Sequence, residues 1–116
     1  MANEKKHWDF QLKMIKELYR NNCFLLAGSD SPAPWVVPGL SIHRELEYFV
    51  QAGLSNFDAL KTATVNPAIW FGKSYDKGTI EPGKRADLMI LSANPLQDIR
   101  NTQKIETVIF KGKIVE

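Results

Sequence analysis

The stretch "CFLLAGSDSPAPW", residues 23–35, decides how this chain is read. Its first part, "CFLLAG", is apolar on both alternating faces, the signature of a strand buried on both sides in the parallel sheet of an α/β protein. Asp30 then stands where that strand runs out. Three prolines and a glycine make residues 31–40 a loop. Upstream, "DFQLKMIKELYRN", residues 9–21, spaces Phe10, Met14 and Leu18 along one stripe with Ile15 beside it, which predicts a helix. Asp9 is its expected cap, and Asn21 or Asn22 its left-handed exit. Helix, short turn and doubly buried strand form the second half of a βαβ unit.

Downstream, "SIHRELEYFVQA", residues 41–52, predicts a helix capped by Ser41 and stopped by Gly53, with Ile42, Leu46, Phe49 and Val50 as its buried stripe. Residues 55–65 predict another, since Ser55 and Asp58 have capping-box spacing. Asn66 is expected to cap a short turn of helix through Trp70, ended by Gly72. Beyond Gly72 the character changes. "EPGK" suits a type II turn centred on Pro82 and Gly83, and a strand is expected at about 86–91. "IETVIF", residues 105–110, alternates as a half-buried strand, and "KG" at 111–112 turns it into "KIVE". The expected division is therefore 1–72, α/β, and 73–116, a small β segment.

Composition narrows the function classes. The 116 residues are 44% hydrophobic and 24% charged, ordinary for a globular chain, with net charge +2. Lys and Arg are scattered without a dense run, which argues against nucleic-acid and membrane-surface partners. Cys23 is the one cysteine, so no intrachain disulfide forms, and it is expected to pack in the core. No secretory signal or membrane span is read, and the expected compartment is a reducing cytoplasm.

Four segments occur in order: "FLLAGSDSP", "PGLSIHRELEYFVQAGLSNFDALKTATVNPAIWFG", "KGTIEPGKRADLMILSANPLQDIRN" and "IETVIFKGKIV". From about residue 10 to the end, the sequence resembles the C-terminal part of the amidohydrolase superfamily, in its imidazolonepropionase-like and Xaa-Pro dipeptidase-like branch. The resemblance implies a fragment of a (β/α)8 barrel, its last strand and helices, followed by a segment of a small β-sandwich. It implies a metal-dependent hydrolase of carbon–nitrogen bonds. It makes residues 23–30 the eighth barrel strand and puts Asp30 at the face where such barrels carry their active sites. Asp30 is then a ligand of a divalent metal such as zinc, and the catalytic group that takes a proton from the metal-bound water and passes it to the leaving group. Trp35, in the following loop, and His43, at the next helix start, are the candidate substrate-binding residues.

Each residue also has a plainer reading. Asp30 alone fits a turn residue, His43 a partly buried histidine bonded to a neighbour, and Trp35 loop packing. Asp87 is expected to be structural. A full barrel needs at least ~200 residues, so the chain corresponds to about the last quarter of one. The family's other metal ligands lie on earlier strands, and His7 and His43 form no H-x-H pair. A catalytic zinc usually has three protein ligands, so the isolated chain is expected to lose the metal and be inactive. Its open strand edges are expected to pair with a second copy or with an upstream amidohydrolase half. A non-catalytic, self-associating chain or a binding module is the alternative.

Overall fold

The computed structural model describes residues 2–31, 33–34 and 36–115. Four helices come first: α1 (Ala2–Arg20), α2 (Ser41–Ala52), α3 (Asn56–Ala63) and α4 (Val65–Trp70). They are followed by strand β1 (Leu88–Leu91), a 3-10 helix (Ile99–Gln103), and strands β2 (Ile105–Phe110) and β3 (Lys113–Val115).

Helix α1 begins seven residues before the expected start at Asp9. Residues 2–8 contain no glycine or proline, Glu4 suits the positive helix end, and Trp8 stacks edge-on against Tyr48 at 4.6 Å. Asp9 is thus a mid-helix residue, and His7 lies within the helix. The exit is as expected, with Asn22 left-handed at φ 57°. Helix α2 has the expected bounds, and Gly53, at φ 113°, closes it by donating to the carbonyls of Phe49 and Val50. Ser41 does not cap it. Leu40 is the N-cap residue, and the Ser41 hydroxyl accepts the Val37 N–H instead.

Ser55 caps α3 by accepting the Asp58 N–H, as its spacing predicts. The helix ends at Ala63, because Thr64 turns the backbone (φ −128°, ψ −79°) into α4. Asn66 therefore sits inside α4 and does not cap it.

The core is built where α2 meets α3. Leu46, Phe49, Leu54 and Ala59 are buried together, and Ile99 of the 3-10 helix joins them. Ile15, Tyr19, Leu25 and Ala27 pack on their edge. The two sections of the chain thus share apolar contacts through Ile99. The α2 stripe is His43, Leu46, Phe49 and Ala52, with Ile42 and Val50 only half-buried.

The C-terminal section forms a three-stranded antiparallel sheet, order β1-β2-β3, with Met89 opposite Val108 and Ile109 opposite Ile114. The hairpin turn is the expected two-residue type, Lys111 and Gly112 both having positive φ. Its tip is pinned to Asp87, whose carboxylate accepts the Lys111 N–H and an ion pair from Arg85. The "EPGK" turn closes through Lys84 N–H to the Glu81 carbonyl at 3.2 Å, with Gly83 at φ 89°. Among the described residues this is the one sheet.

Residues 23–30 form no ladder among the described residues, which corrects the expected strand. A strand exists only through a neighbouring backbone, and this segment instead bonds to helices. Cys23, expected in the core, is exposed.

Candidate functional site

Asp30 ends the segment 23–30 with φ 51°, a left-handed conformation rare for a residue with a side chain and tolerated best by Asn and Asp. Its carbonyl accepts the Ala33 N–H at 2.9 Å, which turns the chain immediately after it. Its side chain is at the surface. The backbone therefore bends at Asp30, as it does at the helix exit Asn22 and the hairpin residue Lys111.

The segment carrying Asp30 is held from two sides. The Ala27 N–H donates to the Thr62 carbonyl at 2.9 Å, and the Leu25 carbonyl accepts from Asn66 Nδ2 at 2.8 Å. On the α2 side, the Gly28 N–H faces the Glu45 carboxylate. Burial raises the Glu45 pKa, and the Gly28 amide partly offsets that rise. Asn66 and Glu45 were not expected to act here. In the sequence Asn66 reads as a cap, because it precedes proline. Glu45 stands three residues after Ile42 and one before Leu46, so a charge beside the buried stripe was the available signal.

A cleft of about 570 Å³ opens beside Ser29, next to Asp30, lined by Val37, Ser41, Arg44, Glu45 and Gln103 among others. It carries both signs of charge and lies in the size range of small-molecule sites. A second hollow, about 230 Å³ and mostly apolar, lies between α1 and α2 against Trp8, Leu12, Ile15 and Tyr48.

The expected site residues do not all converge. His43 is 8% exposed, and its Nδ1 lies 3.0 Å from the hydroxyl of Thr102, itself 2% exposed. It is held inside, between α2 and the 3-10 helix, which is the plainer of its two readings. Trp35 lies outside the described residues. Among the described residues, no three His, Cys, Asp or Glu side chains gather closely enough to hold a cation. Asp30 offers one hard oxygen donor, so this chain's own residues do not fit a complete metal site.

Helices on a core that Ile99 of the 3-10 helix joins, a small antiparallel sheet after it, and a carboxylate at the exit of an apolar segment are the features to be compared with known proteins. Residues 10–115 match the amidohydrolase family, and the chain belongs to it. It is 35% identical over 92 residues to an adenine deaminase of Paracoccus denitrificans, covering 79% of this chain and 14% of that protein. It is 50% identical over 61 residues to an imidazolonepropionase of Thermoplasma acidophilum, covering 50% of this chain and 15% of that one. A crystal structure of a Xaa-Pro dipeptidase with methionine bound in its active site superposes with a TM-score of 0.82 at 27% identity, over 90% of this chain and 25% of that one. The chain thus spans about a seventh of the curated relatives it matches. No helix among the described residues is long and apolar enough to cross a membrane.

Proposed function

We propose that this chain forms the last part of a hydrolase of carbon–nitrogen bonds in small amides, dipeptide-like or cyclic, and that it is inactive until the rest of the barrel is supplied. The carrying observation is Asp30: a carboxylate at a left-handed bend, ending the apolar segment, in a chain that matches the amidohydrolase family over nearly its whole length. In this reading Asp30 takes the proton of the attacking water on a carboxylate oxygen and returns it to the departing nitrogen. The mixed charge of the cleft beside Ser29 supports a small polar substrate. Asp30 would also supply one oxygen ligand to a divalent metal whose other ligands would come from outside this chain.

The test grafts this chain in place of the last quarter of a Xaa-Pro dipeptidase and assays Xaa-Pro dipeptides, N-acyl amino acids and cyclic amides. The chimera is expected to turn over at least one class, and the free chain none. Asp30→Asn should cost the chimera on the order of 10²–10⁴-fold in kcat without changing its circular dichroism. Turnover by the free chain, or a chimera indifferent to Asp30→Asn, overturns the reading. The exposed apolar residues Phe10, Met14 and Phe24 favour a second, non-catalytic reading, a self-associating chain. An inactive chimera, with concentration-dependent dimers of the free chain in sedimentation, would select it.

A further inference from the structure

The geometry points to Asn66 as a positioning residue for Asp30, acting through the backbone of residues 25–27; this rests on the reading of Asp30 given above. Residues 23–30 have no ladder to fix them among the described residues. Two hydrogen bonds two residues apart attach the segment to the corner between α3 and α4. One runs from the Ala27 N–H to the Thr62 carbonyl at 2.9 Å, and the other from Asn66 Nδ2 to the Leu25 carbonyl at 2.8 Å. Two points of attachment restrict rotation as well as translation, which one bond cannot do.

The corner is itself rigid. Thr62 is 2% exposed, and its hydroxyl donates back to the Ala59 carbonyl at 2.6 Å. The Thr64 hydroxyl donates to the Leu60 carbonyl at 2.8 Å. Pro67 follows Asn66 and fixes the next φ. The Asn66 side chain thus projects from a fixed base. Asp30 is three residues beyond Ala27, at most ~10 Å along the chain. A shift at Ala27 therefore reaches the carboxylate with little slack, and a misplacement of about 1 Å can cost about 10²-fold in rate. The bond is also specific in direction. A carbonyl needs a donor, so Asn66→Asp keeps the size and shape of the side chain and loses the interaction.

The test is amide hydrogen exchange on the full chain, comparing wild type, Asn66→Asp, Asn66→Ala and a control, Asn56→Ala. The control removes a similar amide-to-carbonyl bond, Asn56 Nδ2 to Leu96 at 2.9 Å. Both Asn66 variants should speed exchange at Ala27 by about tenfold and leave β2 protected, as expected for one local bond. Asn56→Ala should leave Ala27 unchanged. Unchanged exchange at Ala27 in Asn66→Asp overturns the proposal, as does an equal increase across the whole chain. In the chimera, Asn66→Asp should lower kcat more than it raises KM. Faster exchange at Ala27 with kcat unchanged in an active chimera overturns the link to Asp30. If Asp30→Asn also leaves kcat unchanged, the fault lies with the reading of Asp30.

Discussion

Thr102→Val tests whether the two sections of this chain are joined by a buried polar contact. The Thr102 hydroxyl donates to the Ile99 carbonyl at 2.9 Å and lies 3.0 Å from His43 Nδ1. With the hydroxyl proton on the Ile99 carbonyl, His43 Nδ1 is the donor in that contact, which is the Nδ1–H tautomer of the neutral ring. Valine nearly matches threonine in shape, so the change removes the oxygen and leaves little cavity. The Nδ1–H of His43 then has no acceptor in a residue 8% exposed. An unsatisfied buried group costs roughly 1–3 kcal/mol, and Thr102→Val is expected to lower stability by about 2 kcal/mol. His43→Leu costs less at this bond, because Thr102 keeps its bond to Ile99. The double variant should be more stable than the sum of the two losses implies, by roughly 1 kcal/mol. Urea unfolding followed by tryptophan fluorescence measures all four proteins. A loss below about 0.5 kcal/mol for Thr102→Val, which is the range of neutral surface changes, would refute the reasoning. So would an imidazole ¹⁵N spectrum placing the neutral proton on Nε2.

Two further outcomes are expected. Gly78 has φ 100°, and an added Cβ would lie 2.6 Å from the Ala68 Cβ and 3.3 Å from the Thr64 carbonyl; Gly78→Ala should therefore destabilise by roughly 2–4 kcal/mol, combining left-handed strain and overpacking, and a midpoint in urea equal to wild type would contradict this. The Asp58 carboxyl is held below the usual carboxylate range by the Ser55 hydroxyl, then by the Tyr19 hydroxyl and Lys61. The Tyr19 hydroxyl is pushed up, first by its 2.7 Å bond to Asp58. The Asp58 contribution is present above the ordinary Asp pKa of about 3.9 and is lost as pH falls through the lowered value; the Tyr19 contribution is present below about 10 and is lost as pH rises through the raised value. Tyr19→Phe should remove the alkaline loss and weaken the acid one, as read from urea midpoints across pH.

Local chemistry made several elements legible in the sequence. Ser55 and Asp58 set the start of α3, Gly53 the end of α2, and Lys111–Gly112 the hairpin, because caps and tight turns depend on residues only a few positions apart. The same locality fixed the left-handed exit at Asn22 and marked Asp30 as the residue to watch. The motif order was enough to place the chain in the amidohydrolase family, as the match over residues 10–115 bears out.

What the sequence by itself determined is the set of local stops, starts and stripes, together with the ancestry that their order records. Only the tertiary structure decided the rest. "CFLLAG" carries the pattern of a doubly buried strand, yet a strand is made by its neighbours, so the segment bonds to Thr62 and Asn66 and leaves Cys23 exposed. Asn66 precedes proline and reads locally as a cap. Its role as a tether came from a carbonyl 41 positions away. His43 has two readings in the sequence, a partly buried histidine or a residue lining the substrate site, and the partner it meets, Thr102, lies 59 positions on. Such partners are chosen by packing across the whole chain, at separations that neither periodicity nor spacing encodes.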